Sequence, residues 1–430
     1  MDAQRQDRPE SSPARHAEHA IPETRPAPRV RAMARRLAPS APLVVVAMWL
    51  LLMAFAYFTE QRNYTKPSWQ AVAAFADIGT ISGQHLGLDA LVMDHNPTGF
   101  DGQFFYFEAL DPRQPLLCAH HPPNCALDWA FGEVRAERIL YPYTAFVVSL
   151  GGQSHLVPYA LLAVNFVAVL VVTGLVGVLA VEAGASRWLG AAAGLFCGEV
   201  QGFLRDLADP YAVLWLVVAA YCLRKAHYRA AALALAAALL TREQLILTVP
   251  LLALPLVVER RWRTLAESAA VALGPFVVWQ VVLRLVWGRW ALATGDTAGA
   301  GVDKYFLPLP FHGLWVERQQ PQFGMMVAFV VVPLIFACVL SLLVIWRRYQ
   351  AGGWRAALLD PLPVFILVYA LELSLTSWIL WQDMWTPSRL AAEVAVLGVI
   401  VAARYASPTT RVAYGAVAAL TGMAALMLLV

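Results

Sequence analysis

The sequence predicts an all-α, polytopic membrane protein of about eleven transmembrane helices, and three observations predict it. Hydrophobic residues make up 59% of the 430-residue chain and charged residues only 14%, whereas about a quarter of a soluble domain is charged. The mean hydropathy is +0.57. The charges gather in short clusters between long apolar runs. A formal net charge of +3 with no basic stripe excludes a nucleic-acid surface.

The first 40 residues are rich in Pro, Arg, Ala and Glu without an apolar period, so they read as a disordered cytoplasmic tail. Residues 41–430 read as a single transmembrane domain. The tail ends in RVRAMARR (Arg29 to Arg36) before an apolar run at 41–58. No small-x-small cleavage site precedes TEQRNY, so this run is expected to be an uncleaved first span. Further runs occupy 156–181, 187–205, 209–223, 228–241, 244–258, 266–286, 323–346, 361–381, 389–405 and 411–430. Several fall short of the roughly 20 residues that an upright helix needs, and their assignment rests on charge. With the N-terminus inside, Arg224 to Arg229, Glu259 to Arg263, Arg347 to Arg355 and Arg404 to Arg411 all follow even-numbered spans and stay inside. A further crossing at Leu140 to Leu150 would invert every later loop, so this stretch is expected to lie along the outer leaflet.

This topology gathers on the outer face the loop 59–155, with juxtamembrane helices, the loop 287–322, and the turns Asp206 to Asp209, Thr241 to Gln244 and Gln382 to Arg389. Asp101 opens the stretch FDGQFFYFEALDP. Its glycine permits a tight turn, its aromatics are expected to face the membrane, and Glu108 follows on a helical face shared by positions 104, 108 and 111. Asp101 also suits a helix N-cap. Arg242 and Glu243 interrupt two apolar runs with no loop to dilute them, which is costly unless they face protein or water. Arg242 can offer two parallel donors to a phosphate or form a structural ion pair between two short helices. Asp209 before Pro210 reads as a helix cap, while Asp206 is left as a second acid or metal ligand.

Cys118 and Cys125 bracket AHHPPN in the outer loop and are candidates for a disulfide, with a metal site through His120 and His121 as the alternative. Cys197, Cys222 and Cys338 lie in apolar spans and read as packing residues. Most of the 15 Trp and 14 Tyr sit near span ends as interfacial anchors. Tyr305, Trp381 and Trp385 share outer loops with Asp303, Lys304, Asp383 and Arg389 and are candidates for substrate contact.

The order DGQFFYFEALDP, ERILYP (Glu137 to Pro142), LLTREQLIL and WTPSRL (Trp385 to Leu390) resembles bacterial integral membrane glycosyltransferases of the C-type fold and their uncharacterised relatives, over about residues 45 to 405. The resemblance implies about eleven helices and an inverting enzyme that uses polyprenyl-phosphate sugars on the periplasmic side of the bacterial inner membrane. It makes Asp101 the catalytic acid of the first loop, with Glu108 and Asp111 beside it, Arg242 and Glu243 the basic-acidic turn, and Arg138 the arginine of the Leu-Tyr-Pro motif. Gln244 departs from the small residue that relatives carry, and Glu108 from their arginine.

Sugar transfer to a hydroxyl needs a carboxylate to take the proton and positive charge near the departing phosphate. Asp101 is expected to supply the first, and Arg242, Lys304 and Arg389, with Arg135 and Arg138, the second. Asp101 and Asp206 could also hold a divalent cation such as Mg or Mn, although the basic residues could neutralise one phosphate without it. The expected partners are the lipid-linked donor, a glycan, lipid or protein acceptor, and membrane lipid. The alternatives are a transporter or flippase of lipid-linked saccharides, against which the lack of an internal repeat argues, and a non-catalytic membrane assembly protein.

Overall fold

The computed structural model describes residues 40–61, 69–79, 99–117, 135–288, 290–291 and 309–427. The tail up to residue 39, Cys118, Cys125, Lys304 and Tyr305 lie outside them. Ala38–Val430 forms one compact unit. The described residues are helical, with no β-strand among them.

The first half contains α1 (Ser40–Gln61), α2 (Trp69–Ala73), α3 (Gly102–Leu110), α4 (Gln114–Leu117), α5 (Leu140–Val148), α6 (Val157–Glu182), α7 (Trp188–Gly194), α8 (Cys197–Leu204) and α9 (Asp209–Arg224). The second contains α10 (Tyr228–Thr241), α11 (Val249–Val258), α12 (Trp262–Trp287), α13 (His312–Val316), α14 (Phe323–Met326), α15 (Val332–Leu358), α16 (Leu362–Ser374), α17 (Trp385–Leu390), α18 (Ala392–Tyr405) and α19 (Pro408–Met427).

Among the described residues, four segments are long and apolar enough to cross a membrane: Ala41–Thr59, Val157–Glu182, Trp262–Trp287 and Phe323–Leu358. Tyr228–Thr241, Glu243–Val258 and Leu362–Ser374 are apolar but shorter. The expected span 187–205 is two helices, α7 and α8, meeting at Leu195 and Phe196. At this break α19 comes close. A Cβ on Gly422 would stand 1.7 Å from the Leu195 carbonyl oxygen, and the Cys197 N–H donates to Thr421 Oγ1 at 3.1 Å. The expected span 361–381 ends as α16 at Ser374, and the expected span 389–405 is divided at Ala391 between α17 and α18.

Burial separates interior from lipid-facing helices. α18 is buried without interruption from Ala392 to Ala403, as expected of a helix that is apolar all round and central. α6 packs against α1, α5, α7 and α9. Met48, Leu51 and Phe55 on α1, and Val278 and Leu285 on α12, are exposed and suit contact with acyl chains, since lipid satisfies such side chains as water cannot.

The interior helices run between two polar ends. α9, α10 and α18 bring Asp209, Arg242 and Glu393 together at one end. At the other, Arg224, Tyr228, Glu259, Asp360 and Arg404 line a common cavity of about 200 Å³, and Arg348 donates to the Tyr405 hydroxyl at 3.3 Å. Members of all four basic clusters expected inside therefore meet at one end of the bundle. At 1.5 Å per residue, these 14–16-residue helices span roughly 21–24 Å between the two ends.

α5, expected along the outer leaflet, is nine residues long, about 13 Å and too short to cross. It packs beside α3 on α6. The α3 aromatics were expected to face the membrane, but Phe105 and Tyr106 are fully buried because α3 is enclosed by α5, α6 and the 3-10 turn Ala74–Ala76. Phe105 meets the Tyr141 ring edge-on at 5.5 Å. Asn165, buried in α6, donates to the Tyr141 hydroxyl at 2.8 Å and to the Leu207 carbonyl at 2.9 Å. One amide thus joins α5 to the turn before α9. Asn165→Leu is expected to leave these acceptors unpaired and cost about 1–3 kcal/mol, measured as loss of thermal stability in detergent; an unchanged midpoint would contradict this role.

Candidate functional site

Asp101 sits at the turn into α3, where the chain is wedged. The Phe100 N–H donates to the Asp77 carbonyl at 2.9 Å. A Cβ on Gly102 would stand 2.3 Å from the Arg205 carbonyl oxygen and 2.9 Å from that of Ala76, so only glycine allows this approach. Arg205 pairs with buried Asp77 at 2.6 Å. Its guanidinium lies 4.0 Å from the Phe100 ring centroid and 5.4 Å from that of Trp385, an attraction of the cation to both ring faces. Arg205 thereby connects the segment before Asp101 with the start of α17, which carries Arg389.

The Asp101 carboxylate makes no capping hydrogen bond to α3. It turns instead toward three arginines. Arg135 donates through Nε at 3.0 Å and again through Nη2 to Oδ1. Arg389 Nη1 donates to Oδ2 at 3.0 Å, and Arg138 Nη1 lies 3.6 Å from Oδ2. Burial opposes the charge on Asp101, but Arg135, Arg389 and Arg138 outweigh it and hold the carboxyl far below the ordinary carboxylate range. Arg138 is committed more strongly elsewhere, donating in a bidentate fork to Glu243 at 2.8 and 2.8 Å. The LYP arginine and the RE turn, 105 residues apart, are thus paired.

Arg242 forms a second cluster. It is 2% exposed and its guanidinium is taken up by Glu393, Asp209 at 3.0 Å and Gln244 Oε1 at 2.8 Å. Of the two readings expected for Arg242, this geometry matches the structural ion pair, since its described donors already face acceptors inside the bundle. Asp209, expected as a helix cap, makes this ion pair instead, and Gln244 serves to hold Arg242. Glu393 was missed by sequence reasoning. A lone acid in the apolar run AAEVAVLG needs a buried counter-charge, and that signal could have found it.

The other expected site residues fall in different places. Glu108 is buried and neither carboxyl oxygen has a hydrogen-bond partner; burial, opposed by Arg138 and Arg135, pushes it well above the ordinary range. Asp206, at φ +47°, is buried with both oxygens unpartnered, and neither makes a bond to Asp101. Asp111 pairs with exposed Arg113 at 2.9 Å. Asp383 accepts the N–H groups of Trp385 and Thr386 at 2.9 and 3.0 Å and so fixes the start of α17. Trp381 is fully buried and donates to Thr376 Oγ1 at 3.0 Å, a core position rather than an open face for substrate. Among the described residues no group of three or more His, Cys, Asp or Glu side chains assembles that could hold a metal ion.

Family models, curated proteins and solved structures give no match to the chain. What the fold and site define is an all-helical protein with candidate membrane spans and a buried ionic network at one end.

Glu137, beside Arg138, is pushed up to about 9 by burial and by neighbouring Glu243. The folded state therefore holds a proton that the unfolded chain releases near 4.5, and stability is expected to fall as pH rises between 4.5 and about 9. Glu137→Gln is expected to flatten that decline in thermal unfolding scans across the interval; an unaltered slope would contradict it.

Proposed function

We propose that the chain is a polytopic inner-membrane glycosyltransferase of the C-type architecture, with its N-terminus in the cytoplasm and the Asp101 end of the bundle facing the periplasm. On this reading the short apolar helices cross the membrane with the longer ones, giving about eleven spans. The gathering of the basic clusters at the opposite end supports that orientation, because cytoplasmic loops carry the excess of Lys and Arg.

The observation that carries the reading is the meeting of one carboxylate with three guanidiniums from two segments: Asp101 with Arg135 and Arg138, both just before α5, and with Arg389 of α17. Inverting transfer from a polyprenyl-phosphate sugar needs these two kinds of group side by side. The acceptor hydroxyl attacks the anomeric carbon, the carboxylate takes its proton, and the bond to the lipid phosphate breaks with the electron pair leaving on phosphate. Fixed guanidiniums stabilise that leaving charge. The acceptor is a glycan, lipid or protein hydroxyl. Arg242, with Glu393 and Asp209, ties α9, α10 and α18 together behind the site.

The test is sugar transfer in proteoliposomes from a panel of radiolabelled polyprenyl-phosphate sugars. Wild type is expected to transfer, and Asp101→Asn to lose at least about a hundredfold, as removal of a general base does. Undiminished transfer by a folded Asn variant would move the chemistry to another acid. Failure with every donor would remove the enzyme reading.

A further inference from the structure

The two arginine clusters differ in a way that bears on ligand binding. At Arg242 the ion-paired side chains are covered more closely, Arg242 at 3% exposed, Glu393 at 0% and Asp209 at 7%. At Asp101 they are covered less, with Arg135 at 18%, Arg389 at 14%, Arg138 at 13% and Asp101 at 10%. The cluster also holds a spare donor, since Arg389 Nε is buried with no hydrogen-bond partner. Arg138 Nη1 reaches Asp101 only at 3.6 Å, because the fork of that guanidinium is turned to Glu243. The Asp101 carboxylate has two oxygens to offer three guanidiniums.

We propose that Arg135, Arg138 and Arg389 form an anion cradle that Asp101 occupies as an internal stand-in, and that a phosphate-bearing ligand binds by displacing the carboxylate from the guanidiniums. A phosphate offers more oxygens than a carboxylate, and guanidinium forks match it bidentately; Arg389 Nε is a donor that the carboxylate leaves unused. The exchange explains how a carboxylate clamped by three cations becomes a base. While the arginines hold it, it binds a proton weakly; once they turn to phosphate, it is freed as the leaving group is secured. Burial pushes Glu108 well above the ordinary carboxylate range against the pull of Arg138 and Arg135, which opposes a second negative charge beside the cradle.

The inference rests on the proposed lipid-phosphate substrate, yet binding tests it separately from transfer. The full chain in detergent is titrated with inorganic phosphate and with a short-chain prenyl monophosphate, the matching prenyl alcohol serving as control. Asp101→Asn removes the competing charge while keeping the shape, and is expected to bind the prenyl phosphate about tenfold more tightly than wild type. Arg389→Gln is expected to abolish that gain in the Asp101→Asn background. It also weakens binding in the otherwise unaltered protein, so the proposal stays testable should Asp101→Asn fail to fold. Competition by inorganic phosphate assigns the site to the phosphoryl group itself. Equal or weaker binding by a folded Asp101→Asn protein, or equal binding of the alcohol, would overturn the exchange. Tighter binding by Asp101→Asn with no sugar transfer by wild type would leave the exchange standing and remove the enzyme; transfer by wild type without tighter binding by Asp101→Asn would do the reverse.

Discussion

A charge placed inside an apolar bundle must find a counter-charge, and this constraint organises the polar end of the protein. Removing one partner of a buried ion pair typically costs about 3–5 kcal/mol, so each arginine drawn into this bundle dictates where an acid must come from. Arg242 draws Asp209 from α9 and Glu393 from α18. Arg138, just before α5, draws Glu243 from the turn after α10. Asp101, at the start of α3, is reached by Arg135 and by Arg389 of α17. The backbone neighbours Arg242 and Glu243 connect the two clusters, and segments far apart in sequence are fixed around one point.

The apolar scaffold makes that point rigid. Gly102 lets the Asp101 turn press against the Arg205 backbone, Arg205 spans Phe100 and Trp385, and Asn165 fixes Tyr141 to the turn before α9. Positions set by close glycine packing and buried hydrogen bonds vary little. The Asp101 cluster, with side chains 10–18% exposed, is less covered than the Arg242 cluster, whose ion-paired side chains are 0–7% exposed.

Much of this was legible in the sequence, for identifiable reasons. Apolar runs and charge parity predicted the helical class, the short α5 that does not cross, and the gathering of the basic clusters at one end. Glu243 stands out with Arg242 because an ionisable pair between apolar runs is costly, Asp101 and Arg138 through their motifs, and Arg389 through its outer turn. Pairing was not legible. Nothing in local spacing says that Arg138 meets Glu243, or that Asp209 serves Arg242 rather than capping α9, because such contacts depend on how helices pack. The breaks inside the expected spans 187–205 and 389–405 were hidden for the same reason, since hydropathy does not register where α19 presses on the Leu195 carbonyl or where the chain bends at Ala391. Local spacing does not disclose that Asp383 caps the start of α17 or that Trp381 packs in the core.

The central claim is that Asp101 and Arg389, 288 residues apart, are coupled directly across the site. A double-mutant cycle of Asp101→Asn and Arg389→Gln, read as unfolding free energy in detergent, tests it most directly. Each substitution is expected to destabilise, and their combination to fall short of the sum by about 1–3 kcal/mol. Strict additivity of the two effects would contradict it.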